Sequence, residues 1–344
     1  MIRTWITAIL AGGLVALTGC GSGTKPESTT EKTMIFEKVG KIERLDPALD
    51  AIVPNNAHIE RIGSGFKFTE GPIWMKEGYL LFSDIPNNAI DKWTPDGNAV
   101  EFRKPSGYDK NDAPDGAFIG SNGLTLDSEG RLIICEHGNG RVTRLEKDGK
   151  LTVLADKYEG KRLNSPNDAV YKSNGDLYFT DPPYGFVGED KDPKKELKFN
   201  GVYRLSNGKL ELLYKELTRP NGLAFSPDEK YLYVANSDPE KKIWMRFEMK
   251  PDGTLGAGAV FYDVTKETAD GLPDGMKVDR SGNLYCTGPG GIWIFSPEGK
   301  HFGSIQPPET PANLNWGEAD AKTLYITART GLYRIRLNAT GIRP

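Results

Sequence analysis

The chain has 344 residues, of which 38% are hydrophobic, with 40 Gly and 23 Pro. That length allows one large all-β domain or two ordinary ones, and the Gly and Pro excess suits short strands joined by turns. A net charge of −3 leaves no basic footprint and argues against nucleic acid as the main partner.

The first element in chain order is a targeting segment. Arg3 gives a positive start, and Ile6 to Leu17 is an apolar run too short to span a bilayer with ordinary flanks. It ends in Leu17-Thr18-Gly19-Cys20, which resembles a bacterial lipobox. Residues 1–20 are therefore read as a lipoprotein signal peptide that leaves Cys20 lipid-modified; an ordinary secretory signal with a chance Cys is the competing reading. Residues 21–33 are polar and read as a flexible tether. The expected place is the cell envelope, anchored on the periplasmic side, with Gly21 favouring the outer membrane in a Gram-negative host. Residues 34–57 carry no repeat and are expected to pack along the outside of the domain that follows.

Residues 58–344 repeat one sentence six times. It begins at Glu70 (EGPIWMKEGYLLFSD), Asn122 (NGLTLDSEGRLIICE), Asn167 (NDAVYKSNGDLYFTD), Asn221 (NGLAFSPDEKYLYVANS), Asp274 (DGMKVDRSGNLYCTG) and, more loosely, Asn313 (NLNWGEADAKTLYITAR). Short strands repeating every ~40–55 residues predict propeller blades. The fold class is all-β: a six-bladed β-propeller with four-stranded antiparallel blades. In the second repeat the predicted strands are Asn122 to Asp127, Arg131 to Glu136, Arg141 to Leu145 and Leu151 to Ala155. His58 to Phe66 also alternates and is expected to pair with Gly331 to Leu337, closing the ring and removing an exposed edge. Cys135 and Cys286 fall in second strands of non-adjacent blades and read as two free, buried thiols.

Because blade strands alternate in direction, the inner-strand starts and the loops after second strands share one face. That face collects Glu136-His137-Gly138-Asn139, Asp181-Pro182-Pro183-Tyr184-Gly185 and Asn236-Ser237-Asp238. The longest insertions, Lys104 to Gly120 and Phe186 to Asn200, fall there as well, as candidate pocket walls. The opposite face carries Asp-Gly and Asn-Gly turns that look structural.

Each repeat puts Glu, Asp or Asn at the same place, so six oxygen-bearing side chains ring one axis. Glu70, Asn167, Asn221 and Asp274 are oxygen donors, two charged and two neutral. No Cys/His cluster has zinc spacing, so a hard dication fits best, Ca²⁺ before Mg²⁺. The competing reading is that these side chains only bond local backbone at strand starts.

EGPIW, SPND, RPNGLAFSPD and PDGMKVD, in this order, resemble the calcium-binding signatures of the SMP-30/gluconolactonase/regucalcin-like family of six-bladed propellers. CEHGNGRVTR, NSPNDAV and FTDPPYG resemble its bacterial gluconolactonase branch, and the likeness runs from about Phe68 to Arg334. The resemblance implies a calcium-dependent hydrolase of a lactone, a sugar lactone by family default, with diisopropylfluorophosphatase-like phosphotriesterases as structural relatives. It implies Glu70, Asn221 and Asp274 as metal ligands and Asn167 as a residue touching metal or substrate. Two positions depart from it. Ser165 and Pro166 stand where eukaryotic regucalcins have an Arg before their equivalent of Asn167, and Gly140 stands where bacterial members often carry Arg.

Asp274 is the expected proton acceptor, with His137 and Asp181 as alternatives, and Asn167, His137, Tyr184 and Asp181 are the expected substrate contacts. Asn122 and Asn313 are expected to orient their neighbours rather than touch the ion. Ser237 and Asp238 are candidates for a second calcium. No Gly-x-Ser-x-Gly elbow supports a serine nucleophile. Two alternatives stay open: the same site acting on another lactone or a phosphotriester, and a surface-tethered binding propeller whose calcium is structural.

Overall fold

The computed structural model describes residues 34–343, and the signal peptide and tether read from residues 1–33 lie outside them. Six antiparallel blade sheets follow one another in chain order, with a short two-stranded hairpin between the second and third. Blade 2 shows the pattern: Ser121–Leu126, Leu132–Glu136, Arg141–Leu145 and Leu151–Ala155 pair in sequence order. The two inner strands are almost wholly buried, whereas the fourth exposes its central residues. Inner strands are covered by neighbouring blades on both faces, so they tolerate near-continuous apolar runs.

The remaining inner strands are Thr69–Met75 in blade 1, Ala169–Tyr171 in blade 3, Pro220–Phe225 in blade 4, Met276–Val278 in blade 5 and Pro311–Gly317 in blade 6. Blade 6 is completed from the other end of the domain, as the alternation at 58–66 predicts. Ile59–Ser64 pairs with Gly331–Arg336, with Ile59 opposite Ile335 and Arg61 opposite Tyr333. The segment that carries no repeat adds two further strands. Glu37–Val39 pairs with Ile59–Ser64, and Lys41–Arg44 pairs with His301–Gln306 of blade 5. A single helical turn, Leu49–Ile52, then buries Leu49 and Ile52 in the layer between blades 5 and 6.

The core lies between blades rather than on the axis. Ile133, Cys135 and Val142 of blade 2 meet Leu177, Phe179 and Tyr203 of blade 3. Trp244 and Tyr233 of blade 4 meet Cys286 and Phe295 of blade 5. Trp74, Phe82 and Trp93 of blade 1 meet Tyr325 and Leu332 of blade 6. Each such aromatic removes roughly 150–250 Å² from water, about 4–6 kcal/mol at ~25 cal/mol/Å² before chain entropy is counted. Cys135 and Cys286 are free and buried, as expected. With the apolar packing placed between sheets, the inner-strand starts are free to carry polar groups at the axis.

Candidate metal and substrate site

Glycine sets how closely the inner strands approach. Glu70, Asn122, Asn221 and Asp274 are each followed by Gly. A Cβ on Gly71 would overlap the carbonyl oxygen of Asn122, one on Gly222 that of Asp274, and one on Gly275 the Asn313 side chain. Each glycine therefore lets one blade's backbone sit directly against the next blade's ring residue. Buried hydroxyls on second strands hold backbone carbonyls of ring residues. Ser83 Oγ donates to Asn122 O at 2.7 Å, Thr180 Oγ1 to Asn221 O at 2.7 Å, and Thr327 Oγ1 to Asn313 O at 3.3 Å. The motifs LLFSD, LYFTD and LYITA carry these hydroxyls, and their repetition is the signal that could have identified them.

The structure gathers the ring residues at one end of the axis. Three side-chain oxygens there, Asn122 Oδ1, Asn221 Oδ1 and Asp274 Oδ1, are buried with no hydrogen-bond partner. Unpaired buried oxygens are rare in folded proteins and point to a group that satisfies them. Glu70 Oε2 accepts from Gly71 N at 2.5 Å and from Asn313 Nδ2 at 2.9 Å. Asn221 Nδ2 donates to Ser237 Oγ at 2.9 Å, and Ser237 in turn donates to Pro273 O. Asn313 Nδ2 orients the Glu70 carboxylate. Asn122 presents an unpaired oxygen like its counterparts in blades 4 and 5.

Asp168 is a member that the pattern did not single out. It stands where four other repeats have Gly. Its Oδ1 accepts from Ala169 N at 2.9 Å, and its Oδ2 lies 3.4 Å from Asn313 Nδ2. The signal was the break in the Asx-Gly pattern at Asn167-Asp168. Burial, reinforced by the Asp168 charge, pushes the Glu70 carboxyl up to about 7. Burial and the charges of Glu70 and Asp168 likewise raise Asp274 well above the ordinary carboxylate range. Lys277 offsets the charge on Glu70 only in part, and a bound cation would supply the rest.

A hard dication is the group this donor set fits: carboxylate and amide oxygens, with no thiolate or imidazole presented to it. Among the described residues no group of three or more His, Cys, Asp or Glu side chains is disposed to hold a metal. The ring's donors are in large part amides.

The loop residues divide. Tyr184 is half-buried beside Asp274 and Ser237, and burial pushes its hydroxyl above the usual range. His137 is fully buried. Its Nε2 lies 3.4 Å from Asn167 Nδ2 and its Nδ1 3.3 Å from Phe118 O. A proton on Nδ1 satisfies both contacts, and burial lowers the ring's pKa to about 4, so the imidazole is neutral near pH 7. His137 thus holds Asn167 and exposes no surface to a substrate. Asp181 is also fully buried, and its Oδ2 accepts from Asn164 N at 2.8 Å. Burial raises it to about 7, and through Asn164 it organises the segment leading to Asn167. Ser237 joins the site. Asp238 does not, since its Oδ1 accepts from Glu240 N at 2.9 Å and its Oδ2 from Thr218 Oγ1 at 2.5 Å.

Residues 68–330 match the family described as SMP-30/Gluconolactonase/LRE-like region. A gluconolactonase of Zymomonas mobilis is 39% identical over 351 residues, covering 98% of each chain. A solved gluconolactonase from Xanthomonas campestris superposes with a TM-score of 0.76 at 31% identity, covering 90% of this chain and 99% of that one. Regucalcin of Xenopus laevis is 26% identical over 281 residues, or 78% of this chain and 85% of its own.

Proposed function

The chain belongs to the SMP-30/gluconolactonase/LRE-like family, and on that footing we propose that it hydrolyses a lactone, with a sugar lactone as substrate and Ca²⁺ as cofactor. The observation that carries this reading is the set of three buried, unpaired oxygens on Asn122, Asn221 and Asp274 beside the Glu70 carboxylate. In the proposed arrangement Glu70, Asn167, Asn221 and Asp274 hold the dication. A hard dication bound here would supply Lewis-acid polarisation of the lactone carbonyl and charge stabilisation at its oxygen.

The chain's own groups do the rest. The Asp274 carboxylate, ionised when the dication is bound, takes the proton of the attacking water and returns it to the ring oxygen that leaves. Atoms balance: one water adds across the C–O bond, giving a carboxylic acid and an alcohol. His137 keeps Asn167 in place, Asn313 fixes Glu70, and Tyr184 walls the side nearest Asp274.

The test uses protein lacking residues 1–33, stripped with chelator and titrated with Ca²⁺, Mg²⁺, Mn²⁺ and Zn²⁺ while lactone hydrolysis is followed. Activity is expected to return with the ion. Asp274→Asn is expected to fold and to lose about 100-fold or more in kcat, the range of a general base. No hydrolysis of any lactone, with Ca²⁺ still raising the unfolding temperature, would replace this reading with a binding propeller.

A further inference from the structure

Arg162 lies on the short hairpin Lys157–Tyr158 and Lys161–Arg162, between blades 2 and 3. Its guanidinium hydrogen-bonds backbone carbonyls, while the charges of Asp181 and Glu196 also act on it. Nη1 donates to Leu163 O and Asn164 O, each at 2.6 Å. Nη2 donates to Gly138 O at 2.8 Å and reaches His137 O at 3.5 Å. The plane rests against the Phe186 ring, 4.7 Å from its centroid. Gly140 is bare because a Cβ there would run into this guanidinium, and its φ of 65° also favours glycine.

The carbonyls it gathers belong to two loops that meet at one ring residue. Leu163 and Asn164 open the segment that ends at Asn167. His137 and Gly138 belong to the loop whose imidazole lies against the Asn167 amide. A third loop locks into the same place: Gly185 N donates to Ser165 Oγ at 2.8 Å, and a Cβ on Gly185 would collide with His137 O. We propose that Arg162 is a positioning residue for Asn167: one guanidinium fork clamps both loops that aim its amide at the axis. A lysine cannot do this, since one ammonium has no planar fork to span carbonyls on two chains.

The proposal rests on the reading of Asn167 as part of the functional ring, and its test separates the two. Arg162→Lys and Arg162→Met are made in the wild type and in Asn167→Ala. Arg162→Lys is expected to fold, to accelerate amide exchange in segments 136–140 and 162–167, and to weaken Ca²⁺ affinity and kcat/KM by about 10- to 100-fold, the range seen when partners of site residues are removed. In the Asn167→Ala background that loss is expected to vanish, because two residues acting as one unit are not additive. A merely structural role predicts the same loss in both backgrounds. Equal losses in both, or unchanged exchange in the two loops, overturn the proposal. If the wild type hydrolyses no lactone, the functional reading fails, while calcium affinity and amide exchange still decide the clamp.

Discussion

The acids at the axis carry the sharpest chemical consequence of single residues. Glu70 titrates at about 7 in the ion-free protein against 4.5 when unperturbed, because burial and then the Asp168 charge oppose its ionisation. A raised folded-state pKa means the native protein holds the proton more tightly than the unfolded chain. The stabilisation is complete below pH 4.5 and is lost as pH rises through 7, and a shift of that size is worth at most about 3 kcal/mol. Chelated protein is therefore expected to unfold at higher temperature at pH 5 than at pH 7.5. Glu70→Gln is expected to remove its share of that difference, and Ca²⁺ to reverse it by favouring the ionised form; thermal unfolding across pH checks both. His137 acts in the opposite sense, since its lowered pKa favours the native state above pH 6.5, so the comparison must be made against the Glu70 variant. Glu70, Asn221 and Asp274 were legible because a repeat displays its variable position. Asp168 and Arg162 were not, because each acts by departing from the repeat or by reaching across it.

Strands were legible wherever burial imposes alternation or a solid apolar run. Blade 2 falls within a residue or so of its predicted bounds. The edges were harder. Glu37–Val39 and Lys41–Arg44 are charged and largely exposed, so no hydrophobic period marks them; partner backbone, not side-chain burial, makes them strands. They cover the outer edges of His301–Gln306 and Ile59–Ser64, which otherwise present unpaired N–H and C=O groups. Removing residues 1–33 is expected to leave the unfolding temperature unchanged. Removing 1–45 is expected to lower it by about 2 °C for each kcal/mol lost and to promote self-association through the bared edges. Size-exclusion chromatography with thermal unfolding distinguishes the two truncations, and equal behaviour would show that the added strands protect nothing.

At the scale of the whole molecule the two ends of the axis are built differently. One end gathers side-chain oxygens; the other is crossed by residues 338–343. Asn338 N donates to Ile52 O at 2.9 Å, Gly341 N to Ala321 O at 2.8 Å, Ile342 N to Val278 O at 3.2 Å, and Arg280 N donates back to Thr340 O at 2.9 Å. Gly341 lies against the Trp316 indole so closely that a Cβ has no room. Beside it a cavity of about 390 Å³ opens among Trp74, Leu126, Arg280, Trp316 and Ile342. The six-fold repeat made the ring and its closure legible, but this strap has no apolar pattern and is held by backbone bonds, so nothing in Asn338-Ala339-Thr340-Gly341 announced it. Deleting residues 338–344 removes four such bonds at about 0.5–1.5 kcal/mol each and should lower the unfolding temperature measurably. The site sits at the opposite ends of the same inner strands, whose carbonyls are fixed by Ser83, Thr180 and Thr327 and not by the strap. Calcium affinity and lactone turnover at 20 °C are therefore expected to stay within about twofold of the intact domain, as for distant sites with no shared partners. A parallel loss of stability and affinity would mean that the inner strands transmit strain along the axis, and the functional face would then depend on the far end for its geometry.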